Sequence, residues 1–160
     1  MTIREYKPGD KESCIEIFKS NYPKYFDKSE LDLFGQWLDH QGSGAAYQSP
    51  TYTNSEKDAY YVIELPDAGV IGCGGFYIAK DQKEVRLAWG MIHSDFHKKG
   101  YGTALFKYRK DIIEKNWPGH VLTMGTSQHT YAFYEKMGLS VTETIKSGYG
   151  ADLDRYDMKK

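Results

Sequence analysis

The sequence predicts an α/β protein, in the mixed α+β sense: one central mixed β-sheet with helices on its faces. Three observations predict it. β-rich segments separated by the turn signals Pro66-Asp67-Ala68-Gly69 and Asp81-Gln82-Lys83 mark a three-strand meander between residues 59 and 92. A helical spacing follows directly, with Leu105, Tyr108 and Ile112 three and four residues apart. A further strand over 121–125 then makes a β-α-β unit, so an antiparallel meander feeds a parallel crossover.

The elements read in order as follows. Residues 3–6 form a short strand, and Pro8-Gly9-Asp10 turns into a helix over 10–20 that Asp10 is placed to cap. Cys14, Ile17 and Phe18 keep its apolar spacing, and Tyr22-Pro23 stops it. Ser29 opens a second helix with Leu31, Phe34, Trp37 and Leu38 on its apolar side. Residues 40–54, rich in Gly, Ser, Gln and Thr, read as a loop and a candidate substrate lid. Strands follow over 59–65, 70–79 and 84–92, then a helix over 101–116 ended by Pro118-Gly119. Strand 121–125, helix 130–137 with Gly138 as its stop, and strands 141–145 and 155–158 complete the chain.

A chain of 160 residues, 40% hydrophobic and 15% aromatic, suits one domain spanning 1–160 and argues against disorder. A net charge of −1 gives no basic face for nucleic acid. No apolar run approaches the length of a membrane span, and Met1 to Tyr6 holds no apolar leader core. The two cysteines, Cys14 and Cys73, match no metal spacing, and a reduced, cytoplasmic setting is expected. Cys73, within Gly72-Cys73-Gly74-Gly75, reads as a small core residue whose glycine neighbours permit a close backbone approach. His93 and His97 flank Asp95 but lie before the helix, with no third ligand in view, so no metal is expected.

The chemistry concentrates in His97-Lys98-Lys99-Gly100-Tyr101-Gly102-Thr103, between a strand and a helix. A helix N-terminus presents unpaired amides and the positive end of its dipole, and so binds phosphate. The stretch lacks the Gly-x-x-x-x-Gly-Lys-Ser/Thr of a nucleoside triphosphate loop. It also lacks the third glycine of a dinucleotide loop, because Leu105 stands there, and no carboxylate ends the next strand.

These residues resemble the acetyl-CoA loop of the GCN5-related N-acetyltransferase (GNAT) superfamily, Gln/Arg-x-x-Gly-x-Gly/Ala, with His97 in the first position. Phe133-Tyr134-Glu135-Lys136-Met137-Gly138-Leu139 is similar to the family's Phe-Tyr-Glu-Lys-x-Gly-Phe. The resemblance implies the GNAT fold and an acetyl-CoA-dependent N-acetyltransferase that acts by direct attack of an amine, with coenzyme A as product. It implies that Met91 and Ile92 pair with the pantetheine arm through their backbones. It also implies that the amides from Lys98 to Thr103 hold the diphosphate, and that the Ile92 N–H is an oxyanion donor.

Lys98 and Lys99 add positive charge, and the Thr103 hydroxyl is placed to reach a phosphate oxygen. Ser127 and Gln128 stand where relatives carry a cofactor-binding Asn. Tyr134 matches the family's acid, which protonates the departing thiolate. An ordinary phenol is a weaker acid than a thiol by about 1.5 pK units, so the transfer is reasonable only as charge grows on sulfur. The family's base, a glutamate on the meander strand, corresponds to Arg86. Glu84, two residues earlier on the same strand face, is the base candidate, acting through a water.

Tyr22, Tyr25, Phe26 and Trp37 are candidate walls for a substrate amine on a small molecule or peptide. Relatives in the family often form homodimers. The alternative reading is a non-catalytic acyl-CoA sensor or protein-interaction module.

Overall fold

The computed structural model describes residues 1–41, 55–79 and 83–160. Of the candidate lid over 40–54, His40 and Gln41 prolong the preceding helix, and 42–54 lie outside the described residues. The elements are β1 (Thr2–Glu5), α1 (Lys11–Asn21), α2 (Glu30–Gln41), β2 (Ser55–Leu65), β3 (Gly69–Ala79), β4 (Glu84–Ile92), α3 (Tyr101–Asn116), β5 (Val121–Thr126), α4 (Tyr131–Lys136), β6 (Ser140–Gly150) and β7 (Leu153–Lys159). The order and types match the sequence reading. The seven strands form one sheet in the order β1-β2-β3-β4-β5-β7-β6. The β4–β5 pair is parallel, as the crossover through α3 requires, and the remaining pairs are antiparallel.

Alternation along β2 shows how the sheet is covered. Tyr60 and Val62 face one way, into a core with Cys14, Phe18, Phe34 and Trp37 of α1 and α2. Tyr61 and Ile63 face the other way, toward Phe106 and Leu105 of α3. Trp37 is wholly buried and belongs to this core rather than to a substrate wall.

Both predicted helix caps are used differently. Asp10 is turned back from α1: its carboxylate accepts both Arg4 Nη atoms at 2.8 and 2.9 Å and the Lys7 N–H at 2.8 Å. At α2 the polar closure comes from Asp27 rather than Ser29. Both the Ser29 hydroxyl and its N–H bond the Asp27 carboxylate, while the Asp27 N–H donates to Glu30 Oε2 at 2.9 Å.

The close approach expected near Cys73 is made by the protein itself. A Cβ on Gly75 would run into the Ala59 carbonyl oxygen of β2 and come within 2.7 Å of the Tyr60 ring. A Cβ on Gly74 would come within 3.2 Å of Arg109 on α3. Backbone cannot yield as a side-chain tip can, so Gly75→Ala is expected to cost about 2–3 kcal/mol. The check is a lower urea midpoint at unchanged slope.

Candidate active site

β4 and β5 stay together for only three residue pairs, Glu84–Val121, Val85–Leu122 and Arg86–Thr123. Beyond them β5 keeps its pairing with β7 on the other edge, through Thr126, but makes no further pair with β4, and the two parallel strands part. A cavity of about 760 Å³ occupies the fork. One side is formed by Leu87 to Ile92 of β4, another by Gly100, Gly102 and Thr103 at the start of α3, and a third by Thr130, Phe133 and Tyr134.

A β-bulge shapes the β4 wall. Gly75 pairs with Ala88 and Cys73 with Met91, so Trp89 and Gly90 together oppose Gly74. Trp89 carries φ +48°, a rare conformation for an aromatic residue, and its carbonyl accepts the hydroxyl of buried Tyr60 at 2.7 Å. Past the bulge, the His93 N–H bonds the Ile71 carbonyl at 2.8 Å. Alternation then gives Met91 to the β3 ladder opposite Cys73 and leaves Ile92 facing the open side. The Ile92 carbonyl is taken twice, by Asn21 Nδ2 and by His97 Nε2, each at 2.8 Å. His97 therefore closes the loop onto the strand end and also stacks edge-on with Tyr25, 5.4 Å between centroids.

Between His97 and α3 the chain passes through two left-handed residues, Lys98 at φ +60° and Gly100 at φ +87°. Ala104 is the first residue of the turn to donate, to the Gly100 carbonyl at 3.1 Å. The N–H groups from Lys98 to Thr103 have no protein acceptor among the described residues. This run of unpaired donors at a helix N-terminus is a nest for an anion, and no acidic residue occupies the first turn. Lys98 and Thr103 line the cavity. Lys99 lies over the Phe96 ring at 5.3 Å, and the Tyr101 ring packs edge-on against Phe96, so both side chains are used outside the cleft.

Tyr134 lines the cavity while its ring packs against Phe106 and Phe133 at 6.2 and 4.9 Å. Beside its hydroxyl lies Arg109 of α3, 2% exposed, which donates to the Gly75 carbonyl at 3.1 Å. Burial pulls the pKa of this guanidinium down, and Tyr134 and Tyr60 oppose that shift. Ser127 is buried and lines the cavity, with its hydroxyl accepting the His129 N–H at 3.3 Å. Gln128 is turned away: its amide bridges the Asp152 carbonyl and the Asp154 N–H at 2.8 and 2.9 Å, pinning the β6–β7 hairpin. Glu84 accepts the Thr123 hydroxyl where β4 and β5 are still joined, and it is not among the lining residues.

Three lining residues carry chemistry that the sequence reading had not placed in a site: Glu30, Tyr149 and Arg109. Arg86, known only as the residue at the family's base position, lines the cavity too and lies 3.9 Å from Asp157. A Cβ on Gly125 would meet both the Tyr149 hydroxyl and Arg86 Nη2. Burial pushes Tyr149 up to about 12, with Arg86 opposing and Glu30 adding to the shift. Tyr25 and Phe26 line the cavity, as expected of substrate walls, whereas Tyr22 is 46% exposed and outside it.

Burial raises Glu30 to about 7 from an ordinary 4.5, opposed by the Asp27 N–H and reinforced by the Asp27 charge. In this window the folded state holds the proton more tightly than the unfolded chain. The stabilisation is complete below pH 4.5 and is lost as pH rises through about 7. The native protein is expected to lose roughly 2 kcal/mol between pH 4.5 and 8 relative to Glu30→Gln. Urea titrations of both proteins across that range check it.

A family model described as the GNAT acetyltransferase domain matches residues 56–139. The chain belongs to the GNAT acetyltransferase family. No curated protein matches it in sequence. Among solved structures it is similar to a GNAT-family protein from Desulfovibrio desulfuricans at 18% identity and TM-score 0.77, covering 99% of this chain and 97% of that one. It is also similar to the ribosomal-protein-alanine N-acetyltransferase of Brucella melitensis at 17% identity and TM-score 0.74, covering 100% and 99%. The third is yncA from Salmonella typhimurium, solved with its cofactor acetyl-CoA, at 18% identity and TM-score 0.71, covering 100% and 92%. The fold is thus the GNAT fold, and the protein is an acetyltransferase whose family uses acetyl-CoA. No helix among the described residues is long and apolar enough to cross a membrane.

Proposed function

We propose that this chain, working as one domain, transfers an acetyl group from acetyl-CoA to a primary amine of a small molecule or peptide by direct attack. The observation that carries this reading is the unpaired amide run from Lys98 to Thr103, opening onto the same cavity as Tyr134. The residues present fit coenzyme A: six consecutive free N–H groups and Lys98 suit a diphosphate, and the cleft past Arg86 suits a narrow arm along β4. When bound, acetyl-CoA supplies the acyl thioester.

The chain's own groups do the rest. The Ile92 amide, on the open side of β4, is a donor for the pantetheine arm and for developing oxyanion charge. Tyr134 holds a proton at its hydroxyl facing the cleft, and the positive charge of Arg109 stabilises the phenolate left when that proton departs. Tyr25 and Phe26 offer an apolar entrance for the amine-bearing group. The neighbour from Brucella melitensis is named for a ribosomal-protein alanine, and one from Vibrio cholerae for spermidine. Both names describe amine acceptors, in keeping with this reading.

Calorimetry with coenzyme A, followed by thiol-release assays over spermidine, benzylamine and trialanine, tests the reading. Binding and turnover of at least one amine are expected. An absence of heat with coenzyme A overturns the cofactor assignment, and binding without turnover overturns the enzymatic one.

A further inference from the structure

The reaction needs somewhere for the amine's proton to go, and the guanidinium of Arg86, which lines the cavity from β4, cannot receive one. Glu84, the nearest acidic residue on that strand, is bound to Thr123 away from the cleft. Among the described residues the cavity nevertheless holds one carboxylate, on the opposite wall, at the first turn of α2.

We propose that Glu30 is the general base: its carboxylate receives the proton of the substrate ammonium inside the cleft. This rests on the transferase reading above. One carboxylate oxygen, Oε2, accepts the Asp27 N–H and so fixes the side chain. The other, Oε1, has no protein partner among the described residues, while the residue borders the cavity. A carboxylate in a half-buried site with no cation beside it is costly, and a bound ammonium is the group that relieves the cost.

The surroundings agree from every side. Asp27, just before α2, is the one charge among the described residues that acts on Glu30, and it is negative. Tyr149, from the β6–β7 hairpin, faces it as a neutral hydroxyl. Arg86 acts on Tyr149 and Asp157 rather than on Glu30. The hairpin is held against this corner, because a Cβ on Gly150 would strike the Asp27 carboxylate. Burial that places half-ionisation near 7 suits a base working at neutral pH.

The step balances. The ammonium N–H bond breaks and its proton passes to Glu30. The freed nitrogen lone pair forms the N–C bond to the thioester carbonyl, and as the C–S bond breaks the nitrogen gives up a second proton to water. The departing thiolate takes the Tyr134 proton. Between turnovers water returns one of these two protons to Tyr134 and carries the other to solvent, which leaves Glu30 ionised again.

The experiment compares Glu30→Gln and Glu30→Asp with the native protein, using whichever of spermidine, benzylamine or trialanine turns over fastest, from pH 5.5 to 9.5. Glutamine keeps an oxygen for the Asp27 N–H, and coenzyme A calorimetry verifies the folded site. The native kcat/KM should level off above about pH 7. In E30Q it should fall roughly tenfold or more at pH 7, rise log-linearly, and approach the native value by pH 9.5. E30D should retain the plateau. A second readout needs no acetyl donor: the carboxyl carbon signal missing in E30Q should titrate near neutrality, and benzylamine should lower its midpoint. An E30Q profile parallel to the native one, or a midpoint indifferent to benzylamine, overturns the assignment of Glu30 while leaving the transferase reading intact. A native protein that binds coenzyme A but turns over no amine overturns both.

Discussion

Replacing Gly102 with aspartate is expected to make the protein slightly more stable and to reduce its affinity for coenzyme A by about 100-fold. The two effects have one cause. Gly102 is the second residue of α3, in a first turn that contains no acidic residue. A carboxylate there interacts favourably with the positive end of the helix, gaining about 0.3–1 kcal/mol. A Cβ at this position would lie 3.5 Å from the Phe133 ring, an ordinary contact, so the fold accommodates the substitution. The same carboxylate stands beside the amides that would hold the diphosphate. Two like charges about 5 Å apart at an effective dielectric constant of about 20 repel by about 3 kcal/mol, which is more than 100-fold in affinity. Gly102→Asn, nearly the same shape without the charge, separates repulsion from bulk and should bind much more tightly than the aspartate. Calorimetry and thermal melts check both halves. If Gly102→Asp binds coenzyme A as well as the native protein, the diphosphate lies elsewhere.

That loop was legible in the sequence because its chemistry is local. Two left-handed residues and a helix start leave amides unpaired whatever the rest of the fold does. The meander and the β-α-β unit were legible for the same reason, since period-two and period-3.6 patterns are written in neighbouring residues. β6 was only half visible: residues 143–148 are all exposed, so its outer part carries no apolar alternation to read. The caps went astray because several short polar side chains compete at each helix start. Arg4 claims Asp10 from six residues upstream on β1, and Asp27 claims Ser29.

Glu30 was invisible as a functional group for a deeper reason. In sequence it is one more acidic residue in the first turn of a helix. Its burial comes from the β6–β7 hairpin folding over Asp27, more than a hundred residues away along the chain, and from Phe26 and Tyr149 lining the same cavity. Arg109 is similar. A cation within an amphipathic helix reads as solvent-facing, yet the missing side chains at Gly74 and Gly90 open a space that the guanidinium fills. The glycines were visible in the sequence, but their occupant was not.

Tyr134→Phe is expected to lower kcat by roughly 100-fold while leaving coenzyme A affinity and stability nearly unchanged. The substitution removes one oxygen and keeps the ring that packs against Phe106 and Phe133. A well-placed proton donor is worth about 10²–10⁴-fold, so the lower end of that range is a modest expectation for an acid that only assists departure of a thiolate. The buried positive charge of Arg109 enlarges the effect, because proton release from Tyr134 creates a negative charge beside it in a medium that screens poorly. The deficit should depend on the leaving group. An acetyl thioester of a more acidic thiol needs less protonation as it departs, so the gap between the Tyr134→Phe variant and the native protein should shrink with that donor. A gap of constant size across donors would mean that the hydroxyl positions the acyl group instead of protonating sulfur. An unchanged kcat would remove Tyr134 from the chemistry, leaving it the core aromatic that its helical face also describes.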